Sequence, residues 1–481
     1  MSHAGLDGIL TTDIADLTAV ELLQLYRHKR LSPVEATAAA LARIEQHNDA
    51  VNAYCHVDQE GAMAAAQASE ARWMSGTPCG GLDGVPASIK DLTLTKGMPT
   101  RKGSRTTSAE GPWLVDAPFS ARMREAGAVL LGKTTTPEFG WKGVTDSPLT
   151  GITRNPWNVA MTAGGSSGGA GAAAALNMGV LHQGSDAGGS IRIPAAFCGV
   201  FGLKPTFGYI PQWPASAMTT LSHLGPMTRT VEDAALMMNA VAQPDDRDWY
   251  AGPGTDTPWN RGINAGVRGL RIAYSRSLGY VSVNPEVAAA VERAVAALAD
   301  LGARVEEVDP GFEDPIEQFN TLWFAGAAKL VDGLTEQQRQ LVDPGFIDIA
   351  ARGRKISLVD YLYAQDARAA LGETMNRFHH HYDLLLTPSV PITAFEAGCN
   401  VADPSQEHWM SWTPFSYPFN LTQQPAASVP CGLSQAGLPI GLQVVGPKFG
   451  DALVLRACQA LTQAKEYTPS FLNAPRQGFP L

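Results

Sequence analysis

Nine glycines fall between positions 164 and 189, most of them in two runs that also carry serine: Gly164-Gly165-Ser166-Ser167-Gly168-Gly169-Ala170-Gly171 and Gly184-Ser185-Asp186-Ala187-Gly188-Gly189-Ser190-Ile191-Arg192-Ile193-Pro194. Glycine lets backbone come close to a ligand and takes conformations closed to other residues, so serines set among glycines can turn hydroxyls and amides toward one small volume. Acyl transfer requires such an arrangement. A serine hydroxyl is a poor nucleophile until a neighbouring base takes its proton, and a tetrahedral oxyanion needs preorganised donors, commonly backbone N–H groups. The amides of Ala187, Gly188, Gly189 and Ser190 are the candidate donors. One Gly-Gly-Ser-Ser by itself reads as an ordinary loop; two such loops, the second leading into Ser-Ile-Arg-Ile-Pro, are far rarer.

Around these loops the chain alternates strand and helix patterns. Leu22, Leu23 and Tyr26 recur at helical spacing, and Ser32-Pro33-Val34-Glu35 combines a capping box with proline at the first helical position, predicting a helix to about His47. Val51 to Val57 reads as a strand, Gln59 to Met74 as a helix, and Val85 to Ile89 as a strand ending at Lys90. Ala128 to Leu131 and Leu270 to Tyr274 read as buried strands, and Val287, Val291, Val295, Leu298 and Leu301 form one apolar helix face. The pattern predicts an α/β fold with a mixed sheet. The Asp-, Pro- and Gly-rich stretch from Gln243 to Ala265 is the best place for a domain break, and an excursion from a single domain explains it equally well.

The two loops resemble the amidase-signature family, whose defining stretch is a GGSSGG loop followed by a D-x-G-G-S-[IV]-R segment. That family uses a Ser–cis-Ser–Lys triad. Carried over, the resemblance implies the nucleophile at Ser190, the serine preceded by a cis peptide bond at Ser166 and the base at Lys90, with the serines 24 positions apart as in the family. Lys90 ends Gly84-Val85-Pro86-Ala87-Ser88-Ile89-Lys90, similar to the family's element at a strand end. Further similarity lies in Gly132 to Phe139, Arg154 to Asn158, Gly225 to Arg229 and Gly437 to Gln443. The resemblance implies one catalytic domain over residues 10–475, a twisted mixed sheet flanked by helices, with Asp186 and Arg192 bracing the loop around Ser190. The mechanism needs a neutral Lys90, whose pKa must fall from about 10.4 through burial. The structural alternative for Lys90 is a salt bridge with Asp91 or Asp186.

Composition narrows the partners. A net charge of −10 with no long Lys/Arg run argues against nucleic acid or an anionic membrane, and no amino-terminal basic region leads into an apolar stretch. Six scattered cysteines without a CxxC pair suit neither a zinc site nor a disulfide framework, which points to a reduced, cytoplasmic protein. We expect no metal, no cofactor, a small-molecule amide or carbamate substrate, and a monomer or homodimer.

Several motifs are rejected on context. Gly127 to Thr134 matches the phosphate-loop pattern G-x4-G-K-[ST], yet Ala128 to Leu131 is itself the strand and a helical segment, Ser120 to Ala126, comes before. Gly169 to Ala174 matches a dinucleotide fingerprint with no hydrophobic strand leading in. His379, His380 and His381 point in different directions and cannot converge on one ion; Cys198 reads as a buried thiol. Phe139, Trp141, Trp323, Trp412 and Phe415, with Phe324 and Trp409, are candidates for an aromatic substrate pocket, although each alone is as readily a core residue. Two alternatives to a free-standing amidase stay open: a glutamine-dependent amidotransferase A subunit, disfavoured because Thr413 stands where the family has its glutamine-recognising acid, and a catalytically dead binding protein, disfavoured by the complete triad.

Overall fold

The computed structural model describes residues 12–464. Its frame is an 11-stranded sheet. In chain order the strands are β1 (Tyr54–Val57), β2 (Pro86–Lys90), β3 (Val129–Thr134), β4 (Leu181–Asp186), β5 (Phe201–Lys204), β6 (His223–Thr228), β7 (Arg271–Tyr274), β8 (Arg304–Glu307), β9 (Leu384–Pro388), β10 (Ala426–Leu433) and β11 (Pro439–Val445). They lie in the order β1-β3-β2-β4-β6-β5-β10-β11-β9-β7-β8. The pairs β2/β3, β2/β4, β7/β9 and β7/β8 are parallel and the others antiparallel. Every residue of β2, β3, β4 and β6 is buried, as expected of central strands covered on both faces.

One sheet therefore takes strands from both sides of the 243–265 stretch, and no domain boundary falls there. Trp259 in that stretch is buried in the main core, ring against ring with Tyr209. The ends of the expected domain, residues 10–11 and 465–475, lie outside the described residues.

Local signals placed the elements well. The Ser32 capping box and Pro33 start a helix that runs to Val51, one turn beyond the expected end at His47. Asn48 explains the difference: its Oδ1 accepts from the N–H groups of Ala53 and Tyr54 while Asn52 takes a left-handed φ of 52°. The strand thus starts at Tyr54, not Val51. The helix Pro285–Asp300 buries Val287, Val291, Val295 and Leu298, with Leu301 as its half-buried cap.

The rejected motifs have structural explanations. The Gly-Lys-Thr of the phosphate-loop match is inside β3, where Lys133 Nζ donates to Thr93 O, Thr95 Oγ1 and Thr100 Oγ1. A short strand, Asn158–Thr162, does precede the Gly169 segment, but in a two-stranded hairpin outside the main sheet. The histidine run caps the long helix Leu358–Phe378, and Cys198 is buried, its thiol pushed up by burial. Among the described residues no His/Cys/Asp/Glu group could hold a metal ion, and no helix is long and apolar enough to cross a membrane.

The close spacing of β5 and β6 yields a test. A Cβ on Gly225 would stand 2.0 Å from Leu203 O. Gly225→Ala should lower stability by about 1–3 kcal/mol or more through overpacking, read as a lower urea midpoint.

Candidate active site

β2 and β4 are adjacent and parallel, and their carboxyl ends carry Lys90 and Asp186 to the same edge of the sheet. The loop Gly164–Ser167, entering the helix Gly168–Ala175, reaches the same place, and Ser167 N–H donates to Ser190 O at 3.1 Å, joining the two glycine-rich loops. The Gly165–Ser166 peptide bond is cis. Gly165 itself is required by packing, since a Cβ there would stand 2.4 Å from the backbone of Val144.

Lys90 is fully buried and caged by hydroxyls: its Nζ lies 2.8 Å from Ser166 Oγ, 2.8 Å from Ser167 Oγ and 2.9 Å from Ser185 Oγ. Neither salt bridge of the structural alternative forms. Asp91 turns to the N–H groups of Arg101 and Gly103, and Asp186 is paired with Arg192. Burial pushes the Lys90 pKa well below the usual lysine value, with only the more distant Asp186 charge opposing.

Counting hydrogens in the cage assigns the protons. Ser167 Oγ donates its one hydrogen to Ser185 O at 3.1 Å, so toward Lys90 it can only accept. A neutral amine has two hydrogens and one lone pair. One hydrogen goes to Ser167; if the other goes to Ser185 Oγ, the lone pair faces Ser166 and can accept its proton. Ser167 and Ser185 lie inside the quoted motifs, but their role in the cage was missed.

The loop after Asp186 is held rigidly. Asp186 Oδ1 accepts from Gly189 N–H at 2.8 Å, Arg192 Nη2 at 2.9 Å and Asn420 Nδ2 at 2.9 Å; Oδ2 accepts from Ile191 N–H at 3.2 Å and Arg192 Nε at 2.9 Å. Arg192 Nη1 also donates to Ser416 O and Gln443 Oε1. Burial acts to raise the Asp186 pKa, but the Arg192 charge and hydrogen bonds outweigh it and hold the carboxyl well below its usual range. One expectation is corrected here: the Gly189 N–H is committed to Asp186 and is not free for an oxyanion. Those of Ala187, Gly188 and Ser190 make no hydrogen bond within the described residues.

Ser166, Ser185, Ala187 and Ser190 open onto one cavity of about 160 Å³. Of the expected pocket aromatics, Phe139 and Trp323 line it. Trp141, Trp412 and Phe415 do not. Trp141 packs on Phe346 and donates to Asp343, Trp412 stacks on Phe197, and Phe415 is buried in the core beside Leu385. Phe324 and Trp409 are core residues as well. Much of the remaining wall comes from Leu92, Thr93, Leu94 and residues 212–218, an irregular stretch with Trp213 that no sequence pattern singled out.

These contacts set two expectations. Ser185→Ala removes an acceptor that the ammonium form of Lys90 needs more than the amine does, so the acid limb of kcat/KM should move to lower pH. Because the Lys90 pKa is depressed on folding, stability rises with pH between that value and about 10.4; Lys90→Met should flatten the slope of unfolding free energy between pH 7 and 10.

Comparison with known proteins agrees with this geometry. The family profile described as Amidase matches residues 35–455. An acylamidase of Rhodococcus erythropolis is 38% identical over 448 residues, covering 92% of this chain and 94% of that one. The A subunit of the glutamyl-tRNA(Gln) amidotransferase of Myxococcus xanthus (strain DK1622) is 36% identical, covering 94% and 98%. The crystal structure of a bacterial aryl acylamidase of the amidase-signature enzymes superposes with a TM-score of 0.90 at 30% identity, covering 97% of this chain and 99% of that one. With a family match over most of its length and the fold of those enzymes, the chain belongs to the amidase-signature family of amide-hydrolysing enzymes.

Proposed function

We propose that the enzyme hydrolyses small amides with an apolar or aryl group, using Ser190 as nucleophile, Ser166 as proton relay and Lys90 as base. The observation that carries this reading is the caged, buried Lys90, in contact with Ser166 beside the cavity that both serines line. In the proposed cycle Ser190 Oγ attacks the carbonyl carbon as its proton passes through Ser166 to Lys90. The oxyanion takes hydrogen bonds from the free amides of Ala187, Gly188 and Ser190. The proton returns by the same relay to the leaving nitrogen, the C–N bond breaks, and water then cleaves the acyl-enzyme by the reverse route.

The cavity supports the substrate class. At about 160 Å³ it is close to the ~150 Å³ that accommodates a benzene ring, and Phe139, Trp323, Leu92, Leu94 and Met218 give it apolar walls. Glutamine suits it poorly. The α-ammonium of glutamine would need a carboxylate partner when desolvated, and among the described residues the lining includes no Asp or Glu. Thr413, at the family's acid position, is buried with its hydroxyl donating to Met410 O. The similarity to amidotransferase A subunits keeps that second reading testable.

Release of product from a nitroanilide, an aryl primary amide, an aryl carbamate, a hydrazide and a nitrophenyl ester should be measured with Ser190→Ala and Lys90→Met as controls. We expect amide hydrolysis to fall by at least about 10²-fold in both variants, with the ester also cleaved. Glutaminase activity with none toward aryl amides would instead favour the amidotransferase reading.

A further inference from the structure

The cavity wall includes a charged residue that the proposed cycle does not use. Lys102 lines it, half-buried, and its Nζ has no ion-pair or hydrogen-bond partner among the described residues. Among the described residues it is the only charged one in the lining.

Its position is built rather than incidental. Lys102 has φ +56° and Phe139 φ +53°, both in the left-handed region that non-glycine residues rarely occupy, and both residues line the cavity. Phe139 N–H donates to Lys102 O at 2.8 Å, and Lys102 N–H donates to Asp91 O at 2.9 Å. The Asp91 carboxylate accepts from the N–H groups on either side, Arg101 at 2.8 Å and Gly103 at 3.0 Å. Ser104 Oγ then donates to the buried Glu138 at 2.5 Å, fastening this loop to the turn that carries Phe139. Conformations that cost energy persist where surrounding contacts over-determine them, and they cluster at ligand sites. Here they place a lysine and a phenylalanine on the wall of the same cavity.

The geometry points to Lys102 as a specificity-determining residue that pairs with a carboxylate on the substrate. This rests on the reading of the cavity as the amide site and narrows its substrate class. A cation in a partly closed cavity is screened less than one in open solvent, and a carboxylate there would accept a charge-assisted hydrogen bond from it. With no acid in the lining, a free amino group next to that carboxylate would be left without a partner. The favoured substrates are therefore amides whose carboxylate stands without a neighbouring ammonium: monoamides of dicarboxylic acids, with the charge on the acyl side, or acylated aminobenzoates, with the charge on the leaving amine.

Two matched pairs distinguish these sources: glutaryl against valeryl 4-nitroanilide, and N-valeryl-4-aminobenzoate against N-valeryl-4-toluidine. In the wild type one carboxylate compound should exceed its neutral partner in kcat/KM. Lys102→Met should reduce that ratio at least about tenfold, the effect of losing one hydrogen bond to a charged group, mainly through KM. Lys102→Arg should retain most of the preference, and added salt should weaken it. A ratio that Lys102→Met leaves unchanged in both pairs, or an equal loss for all four compounds, overturns the inference. Calorimetry of the two carboxylate compounds with the Ser190→Ala protein, with and without Lys102→Met, gives an answer independent of turnover. No binding, or binding insensitive to Lys102→Met, overturns the role of Lys102. Failure of wild type to hydrolyse any of the four overturns the amidase reading alone.

Discussion

The buried pair of Asp186 and Arg192 is the contact on which the arrangement of this site depends. An ion pair removed from water gains little net stability unless its remaining donors and acceptors are satisfied. Here they are. The carboxylate takes backbone N–H groups from the loop that follows it, and the guanidinium reaches Ser416 O, Asn420 Oδ1 and Gln443 Oε1. One pair thereby ties β4, the helix Arg192–Cys198, the segment around Ser416 to Asn420 and β11 into a single rigid unit. The loop between Asp186 and Arg192 has little freedom left, and its unused N–H groups stay in place beside Ser190.

Among the described residues three lysines are fully buried, and their surroundings separate the one suited to accept a proton. Lys204 Nζ donates to the carbonyl oxygens of Gln424 and Pro205, groups that can only accept. Lys133 donates to one carbonyl and two threonine hydroxyls and, with Asp91 and Cys55 only partly offsetting burial, has its pKa pushed down to about 8. Lys90 is surrounded by hydroxyls alone. A hydroxyl can accept from an amine or donate to it, so the Lys90 and Lys133 cages both suit a neutral or a protonated lysine, but only Lys90 touches a hydroxyl, that of Ser166, belonging to a residue that lines the cavity. Burial lowers the pKa of all three lysines; the chemistry of the neighbours differs.

Much of the fold could be read from local signals because those signals act over a few residues. The Ser32 capping box, the period of Val287 to Leu298 and the glycine-rich loops each produced the expected element. The error at His47 came from Asn48, a side chain whose bonds to Ala53 and Tyr54 exist only once the chain has turned. The pocket was harder. Trp141, Trp412 and Phe415 are as apolar as Phe139 and Trp323, and hydrophobicity says that a ring leaves water without saying whether it meets substrate or other rings.

By itself, the sequence determined which groups could do chemistry: two serines among glycines, a lysine at a strand end, and an acid and an arginine flanking the second loop. The glycine-rich motifs were legible as local patterns, and the roles of the lysine, the acid and the arginine were what their resemblance to the amidase-signature family implied. Tertiary structure decided the matters that depend on distant partners. It enlisted Ser167 and Ser185 in the Lys90 cage and withdrew the Gly189 amide from the candidate oxyanion donors. It sent five of the seven expected aromatics to the core, and it brought Lys102 to the cavity wall. The Gly189 amide is taken by Asp186 three residues before it; the other outcomes depend on contacts between residues far apart in the chain, which arise only once the sheet has formed.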